Sequence, residues 1–218
     1  MKIAFCAPGD DPARWQAALR QHLAGVELLP WTERMQRIEA RYALIWSPPV
    51  DFFVALQGAK ALFNLGAGVD ALLRTPDLAE RTRGTPIIRI EDAGMGAMMA
   101  EYVVHAIARH TRHFRRFELQ QDEARWIKHR PQARSAWPVG VMGLGEMGGR
   151  IARVLAALDY PVSAWSRTPR VIEGVRCHAG EKGLAAFLSV SRILVNALPL
   201  TPHTQGVLDA KAFAQLPP

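Results

Sequence analysis

The chain has 218 residues, 49% of them hydrophobic and 22% charged, which is ordinary for a globular protein and enough to bury a core without staples. Two distant cysteines, Cys6 and Cys177, exclude a disulfide framework and point to a reducing, cytoplasmic setting, and apolar runs are too short or too interrupted for a signal sequence or a membrane span. The formal charge of +7 comes mostly from scattered arginines with no Lys/Arg tract, which argues against a nucleic-acid partner and for small anions drawn in by the overall field.

The first hundred residues alternate strand and helix. Residues 2–6 read as a buried strand, and 12–23 as a helix with Asp11 as N-cap, Pro12 in its first turn and Gly25 past its end. Short apolar runs of strand length follow at 26–29, 42–46, 61–65 and 87–90, with helical stretches at 33–39, 52–56 and 69–73 between them. Residues 97–126 predict a long helix, broken near Arg115. Residues 127–138, with two prolines, predict a linker. A second alternating run then begins: strand 139–142, helix 147–158, strand 161–165, helix 183–189, strand 192–197 and helix 209–216. Alternation of this kind predicts an α/β protein of doubly wound parallel sheets with helices on both faces.

Within the second run, Gly143-Leu144-Gly145-Glu146-Met147-Gly148 follows a strand and opens a helix. The first glycine permits a tight turn, the second lets the backbone approach a pyrophosphate, and the third lets the helix pack against the strand. The helix N-terminus adds free N–H groups and a positive dipole end. Where the next strand ends, an NAD site usually carries Asp or Glu for the ribose 2′-hydroxyl, but this chain has Ser166-Arg167-Thr168. Two hydroxyls and a guanidinium suit a 2′-phosphate, so NADP(H) is the expected cofactor. Arg170 either adds a second charge there or faces water.

Other candidates divide between chemistry and plain structure. Gly66-Ala67-Gly68 lies between a strand and a helix, and by spacing alone it reads as a simple βα turn. Trp46 at a strand end is equally compatible with a pocket wall or with core packing. His105, His110, His113 and His129 fall in the 97–136 region, with His110 and His113 placed on one helix face. Arg112, Arg115 and Arg116 beside them disfavour a cation, so a solvated helix face is expected and no metal site. Cys6 in an apolar strand reads as inert, and only His178 stands beside Cys177 as a base.

The ordered set of Trp46-Ser47-Pro48-Pro49, Asn64-Leu65-Gly66-Ala67-Gly68-Val69-Asp70, Arg89-Ile90-Glu91-Asp92-Ala93-Gly94-Met95-Gly96, the 143–148 loop, Trp165-Ser166-Arg167-Thr168 and Asn196-Ala197-Leu198-Pro199-Leu200-Thr201-Pro202 resembles the D-isomer-specific 2-hydroxyacid dehydrogenases. Within them it is most similar to the glyoxylate/hydroxypyruvate reductase A group. The resemblance runs over nearly the whole chain. It implies a flavodoxin-like substrate domain over 1–96, a crossing helix and linker over 97–136, and over 137–218 the N-terminal half of a Rossmann NADP-binding domain. It further implies hydride transfer to a small 2-oxoacid, glyoxylate or hydroxypyruvate, bound between the domains. Pyrophosphate would lie on Gly143, Gly145, Glu146, Met147 and Gly148, and the 2′-phosphate on Ser166, Arg167 and Thr168. Further cofactor contacts would come from Leu198, Pro199 and Thr204. Trp46, Ala67 and Gly68 would hold the substrate, with Asp70 steadying their loop, and His203 would lie over the cofactor without moving a proton.

Three strands are counted after residue 137, where two mononucleotide halves need about 90 residues more. The family's catalytic Arg, Glu and His are expected beyond Pro218, which leaves no catalytic residue in the chain and predicts that the chain alone is inactive. A homodimer through the cofactor domain and crossing helix is the implied assembly. Two other readings stay open: a non-catalytic NADP(H)-binding or interaction protein of this natural length, and an NAD-dependent hydroxyacid dehydrogenase for another substrate.

Overall fold

In a computed structural model, residues 1–217 are described and the chain divides into two compact units, Met1–Glu91 and Asp92–Pro218. The first unit runs β1 (Lys2–Cys6), α1 (Pro12–Arg20), β2 (Glu27–Pro30), β3 (Ile38–Glu39), β4 (Tyr42–Ile45), α2 (Val50–Ala55), β5 (Leu56–Gln57), β6 (Ala61–Asn64), α3 (Asp70–Leu73), α4 (Leu78–Arg81) and β7 (Ile87–Arg89). Five of these strands form one parallel sheet in the order β2-β1-β4-β6-β7. Counted along the chain that order is 2-1-3-4-5, the flavodoxin-like winding.

The continuous apolar runs follow from burial on both faces. Along β1, Ile3 and Phe5 face one core with Val26, Leu28 and Leu44, while Ala4 and Cys6 face another with Ile45, Phe52 and Leu62. Asp11 caps α1 by accepting from the Ala13 N–H at 2.9 Å, with Pro12 at the first turn. One turn on, Gln16 reaches the rim strand β2. Its Nε2 donates to the Val26 carbonyl at 3.0 Å and its Oε1 accepts from the Leu28 N–H at 2.6 Å.

The expected helix at 33–39 is absent. Residues 32–35 turn, and Ile38 and Glu39 form β3, paired in parallel with β5. The segment Glu33-Arg34-Met35-Gln36-Arg37-Ile38-Glu39 has helix-forming residues but only two apolar ones, of which Ile38 alone is buried. Without an apolar face to bury, a short helix is not stable.

The second unit runs α5 (Met95–Thr111), α6 (Phe114–Asp122), β8 (Val139–Met142), α7 (Glu146–Ala157), β9 (Val162–Ser166), β10 (Val175–Ala179), α8 (Gly180–Leu188), β11 (Ile193–Asn196) and α9 (Ala210–Phe213). Among the described residues its parallel sheet has four strands in the order β10-β9-β8-β11, so the count of three after residue 137 is corrected to four. The strand missed was β10, Val-Arg-Cys-His-Ala, a rim strand whose half-exposed residues give neither an apolar run nor a clean alternation. In chain order the sheet reads 3-2-1-4, the opening of the Rossmann winding.

The long helix is interrupted at Arg112 and His113, the latter in the left-handed region at φ +58°, rather than near Arg115. His110 lies in the last turn of α5 and His113 lies outside both helices, so the two do not share a helix face. Ala100, Val103 and Ile107 of α5 share a core with Ile151, Ala152 and Leu155 of α7 and with Val139 and Val141.

His178 lies on β10 with its ring against Phe187, and its Nε2 is buried with no hydrogen-bond partner among the described residues. Burial lowers its pKa below 6.5, and Arg176 lowers it further. The folded state thus binds fewer protons than the unfolded one, and stability is lost as pH falls below about 6.5. The urea midpoint of the parent chain should fall more steeply between about pH 7.5 and pH 5.5 than that of His178→Leu; parallel slopes would assign the pH dependence to other groups.

Candidate functional site

The strands flanking β8 are reached by crossovers in opposite directions, so a crevice opens at its carboxyl end. The turn there is set by its glycines. Gly143 has φ +91°, and a Cβ on it would stand 2.9 Å from the Ala197 carbonyl oxygen. A Cβ on Gly148 would run into the Gly143 carbonyl itself. Gly145 is the N-cap of α7, extended at φ −75° and ψ −167°, with no side-chain cap and no atom within 4 Å of where its Cβ would be. Among the described residues the N–H groups of Glu146, Met147 and Gly148 have no acceptor, and the first such bond is Gly149 N–H to Gly145 O at 2.8 Å. The helix therefore presents open space, free donors and its positive end together. Gly145 and Glu146 are exposed, Met147 is half-buried, and Gly143 and Gly148 are buried.

Two neighbouring segments close on this turn. The Gly143 N–H donates to the Trp165 carbonyl at 2.8 Å, which places the end of β9 beside the loop. Ser166 is buried there and donates its hydroxyl hydrogen to the Thr168 carbonyl at 2.7 Å, whereas Arg167, Thr168 and Arg170 are exposed. Neither Arg167 nor Arg170 has a carboxylate partner among the described residues. From β11, the Ala197 N–H continues the ladder to Met142 at 2.8 Å, and the Leu198 side chain packs toward Gly143. The segment after it holds itself in place: the Leu198 N–H donates to Asn196 Oδ1 at 3.1 Å, and Thr204 Oγ1 donates to the Pro199 carbonyl and accepts from the Thr201 N–H. His203 is exposed beside it.

In the first unit, Trp46 follows β4 and lies on Gly66 so closely that any Cβ there would overlap the indole. Trp46 remains 39% exposed, so it walls the turn and is not core. Within the turn, Gly66, Ala67 and Gly68 have N–H groups with no acceptor among the described residues. Their carbonyls are taken: Asn64 Nδ2 donates to Gly66 O at 2.7 Å and Gly68 O at 2.9 Å, and Arg89 Nη1 donates to Ala67 O at 3.3 Å. Sequence reasoning assigned no role to Asn64 or Arg89; a buried polar residue between an apolar strand and a glycine turn was the available signal. Asp70 makes no cap and instead pairs with Arg74 at 3.2 Å.

The remaining candidates have structural partners. His110 stands edge-on to Trp137 at 5.3 Å, and His129 meets Gln120 Oε1 at 3.0 Å. The Arg109–Arg116 stretch is not uniformly basic, because Glu118 takes both Arg109 and Arg115, and the Arg109 hydrogen bond holds its carboxyl below the usual range. Burial pushes the Cys6 thiol up to about 11, far from a reactive thiolate.

The profile of the NAD binding domain of D-isomer specific 2-hydroxyacid dehydrogenases matches residues 104–218. A glyoxylate/hydroxypyruvate reductase A of Photorhabdus laumondii is 39% identical over 220 residues, covering 100% of this chain and 70% of that protein. One from Serratia proteamaculans is 36% identical with the same coverage. Among solved structures, a D-isomer specific 2-hydroxyacid dehydrogenase from Xanthobacter autotrophicus Py2, in complex with NADPH and MES, aligns with a TM-score of 0.88 at 38% identity over 99% of this chain and 69% of that one. An NADPH-dependent glyoxylate/hydroxypyruvate reductase from Sinorhizobium meliloti, in complex with NADP and sulfate, aligns at 0.84 with 32% identity over 99% and 67%.

The two buried and exposed glycines of the loop should part company on substitution. Gly148→Ala is expected to cost about 2 kcal/mol or more, because a backbone carbonyl must move, whereas Gly145→Ala should cost about 1 kcal/mol or less. Urea denaturation of each variant reads the difference, and equal losses would contradict the close packing of α7 on the turn.

Proposed function

The chain belongs to the D-isomer specific 2-hydroxyacid dehydrogenase family, and we propose that it serves the NADP(H)-dependent reduction of a small 2-oxoacid, glyoxylate or hydroxypyruvate, to the 2-hydroxyacid. The observation that carries the cofactor reading is the glycine turn of β8 beside the exposed Arg167. The residues present fit a dinucleotide: the space above Gly145 is open, and the N–H groups of Glu146, Met147 and Gly148 await an acceptor. In this reading Gly143, Gly145, Glu146, Met147 and Gly148 hold the pyrophosphate. Arg167 and Thr168 take the 2′-phosphate, and Ser166, whose hydroxyl is engaged, shapes their turn. Leu198 and Pro199 offer backbone contacts, with Thr204 bracing Pro199.

When bound, the reduced nicotinamide supplies a hydride to the carbonyl carbon of the substrate. The free N–H groups of Ala67 and Gly68 receive the substrate carboxylate, and Trp46 limits the room beside it. Reduction also needs an acid for the forming alkoxide and a cation to polarise the carbonyl. We assign neither role to a residue of this turn, where Arg89 already donates one N–H to the Ala67 carbonyl. The 218-residue chain alone is therefore proposed to bind NADPH without oxidising it in the presence of glyoxylate. We also assign it to the cytoplasm, in keeping with its two free thiols, and to a homodimer that covers the exposed Met98, Tyr102, Phe114 and Phe117 of α5 and α6.

Arg167→Asp should weaken NADPH binding at least about tenfold and NADH binding little, read by titrating cofactor fluorescence. Equal losses would sink the 2′-phosphate assignment. Sedimentation at rising concentration should show a dimer that Tyr102→Glu with Phe117→Glu converts to monomer; a monomeric parent chain would remove the dimer.

A further inference from the structure

All three carbonyls of the turn after β6 are held from outside it, and this is not how a plain connecting turn is built. Two converge on one atom. Asn64 is 1% exposed, and both hydrogens of its Nδ2 are engaged, one by Gly66 O at 2.7 Å and one by Gly68 O at 2.9 Å. The carbonyl between them is held by Arg89 from β7. In a planar peptide the N–H of each residue lies antiparallel to the carbonyl of the residue before it. Fixing the Gly66, Ala67 and Gly68 carbonyls therefore fixes the N–H directions of Ala67, Gly68 and Val69. None of these three N–H groups has an acceptor among the described residues.

We propose that Asn64 is a positioning residue for anion recognition: it touches no substrate, and it aims the Ala67 and Gly68 N–H groups at the carboxylate. The inference rests on the carboxylate reading of this turn given above. Only an amide serves here. Leucine of similar volume would leave two carbonyls unpaired, and an ionised aspartate would repel both. A hydroxyl offers one hydrogen where two are needed. Burial adds to the effect, because a hydrogen bond shielded from water holds its geometry more firmly. Arg89 is exposed and binds at 3.3 Å, so it is the looser of the two braces.

The test uses the 218-residue chain labelled with 15N, oxamate as the probe for a 2-oxoacid carboxylate, and NADPH as a control ligand. In the parent chain, oxamate should shift the Ala67 and Gly68 amide signals. Asn64→Asp should weaken oxamate binding at least about tenfold near pH 8, where the new carboxylate is ionised, and regain much of it near pH 5.5. Burial between carbonyls raises the pKa of that carboxyl, and protonation restores one donor. The parent chain, with its amide at 64, controls for every other titrating group. At each pH, NADPH affinity should be the same in the parent chain and the variants. If Asn64→Asp does not fold, Asn64→Ala, which offers no donor, should show the same loss of oxamate binding with NADPH binding intact. No movement of the Ala67 and Gly68 signals in the parent chain would overturn the carboxylate reading itself. Movement in the parent chain with undiminished oxamate binding in the variants would overturn the role of Asn64. A loss in Asn64→Asp that pH does not reverse would reduce Asn64 to a structural brace.

Discussion

The closeness of α7 to the end of β8 governs the second unit. Gly148 sits where a single methyl group would strike the Gly143 carbonyl, so helix and strand meet backbone to backbone. That contact brings the first turn of α7 over the strand end, with open space at Gly145 and N–H groups that have no acceptor among the described residues. The proposed pyrophosphate site depends on that placement. The core beneath it, where Ile151, Ala152 and Leu155 pack on Val139 and Val141, holds the helix at this distance. Glycine within a helix is normally a cost of about 1 kcal/mol relative to alanine. Gly148 therefore marks a position where geometry outweighs helix propensity.

The two units use the same physical device at different strengths. Each is a parallel sheet buried on both faces, and each carries its candidate groups on turns beyond the carboxyl ends of strands. In the second unit a twelve-residue helix backs the turn. In the first, the helix after the turn has only four residues. Side chains supply what that short helix lacks, and this is why Asn64 and Arg89 hold the turn by its carbonyls.

The large features were legible in the sequence because they rest on backbone necessity. The 143–148 loop announces itself through glycines, and β1, β4 and β8 through apolar runs that only a doubly covered strand needs. What escaped depends on partners distant in sequence. β10 owes its place to pairing with β9 and not to its own composition. Residues 33–39 have the local preferences of a helix but no apolar face, and Ile38 found a strand partner instead. Hydroxyls were the other blind spot. As residue types Ser166 and Thr204 suit a phosphorylated cofactor, yet the hydroxyl of each already donates to a nearby carbonyl. Residue type shows what a side chain can donate, and only the fold shows what it already does.

Gln16 does something that its place on α1 does not advertise. β2 is the outermost strand of its sheet, and the Val26 carbonyl and Leu28 N–H point away from β1. These are the groups that an extended segment of another chain would pair with first. The amide of Gln16 donates to one and accepts from the other, as the backbone of a sixth strand would. One side chain thus stands in for a neighbouring strand and closes that stretch of the rim to edge-to-edge aggregation.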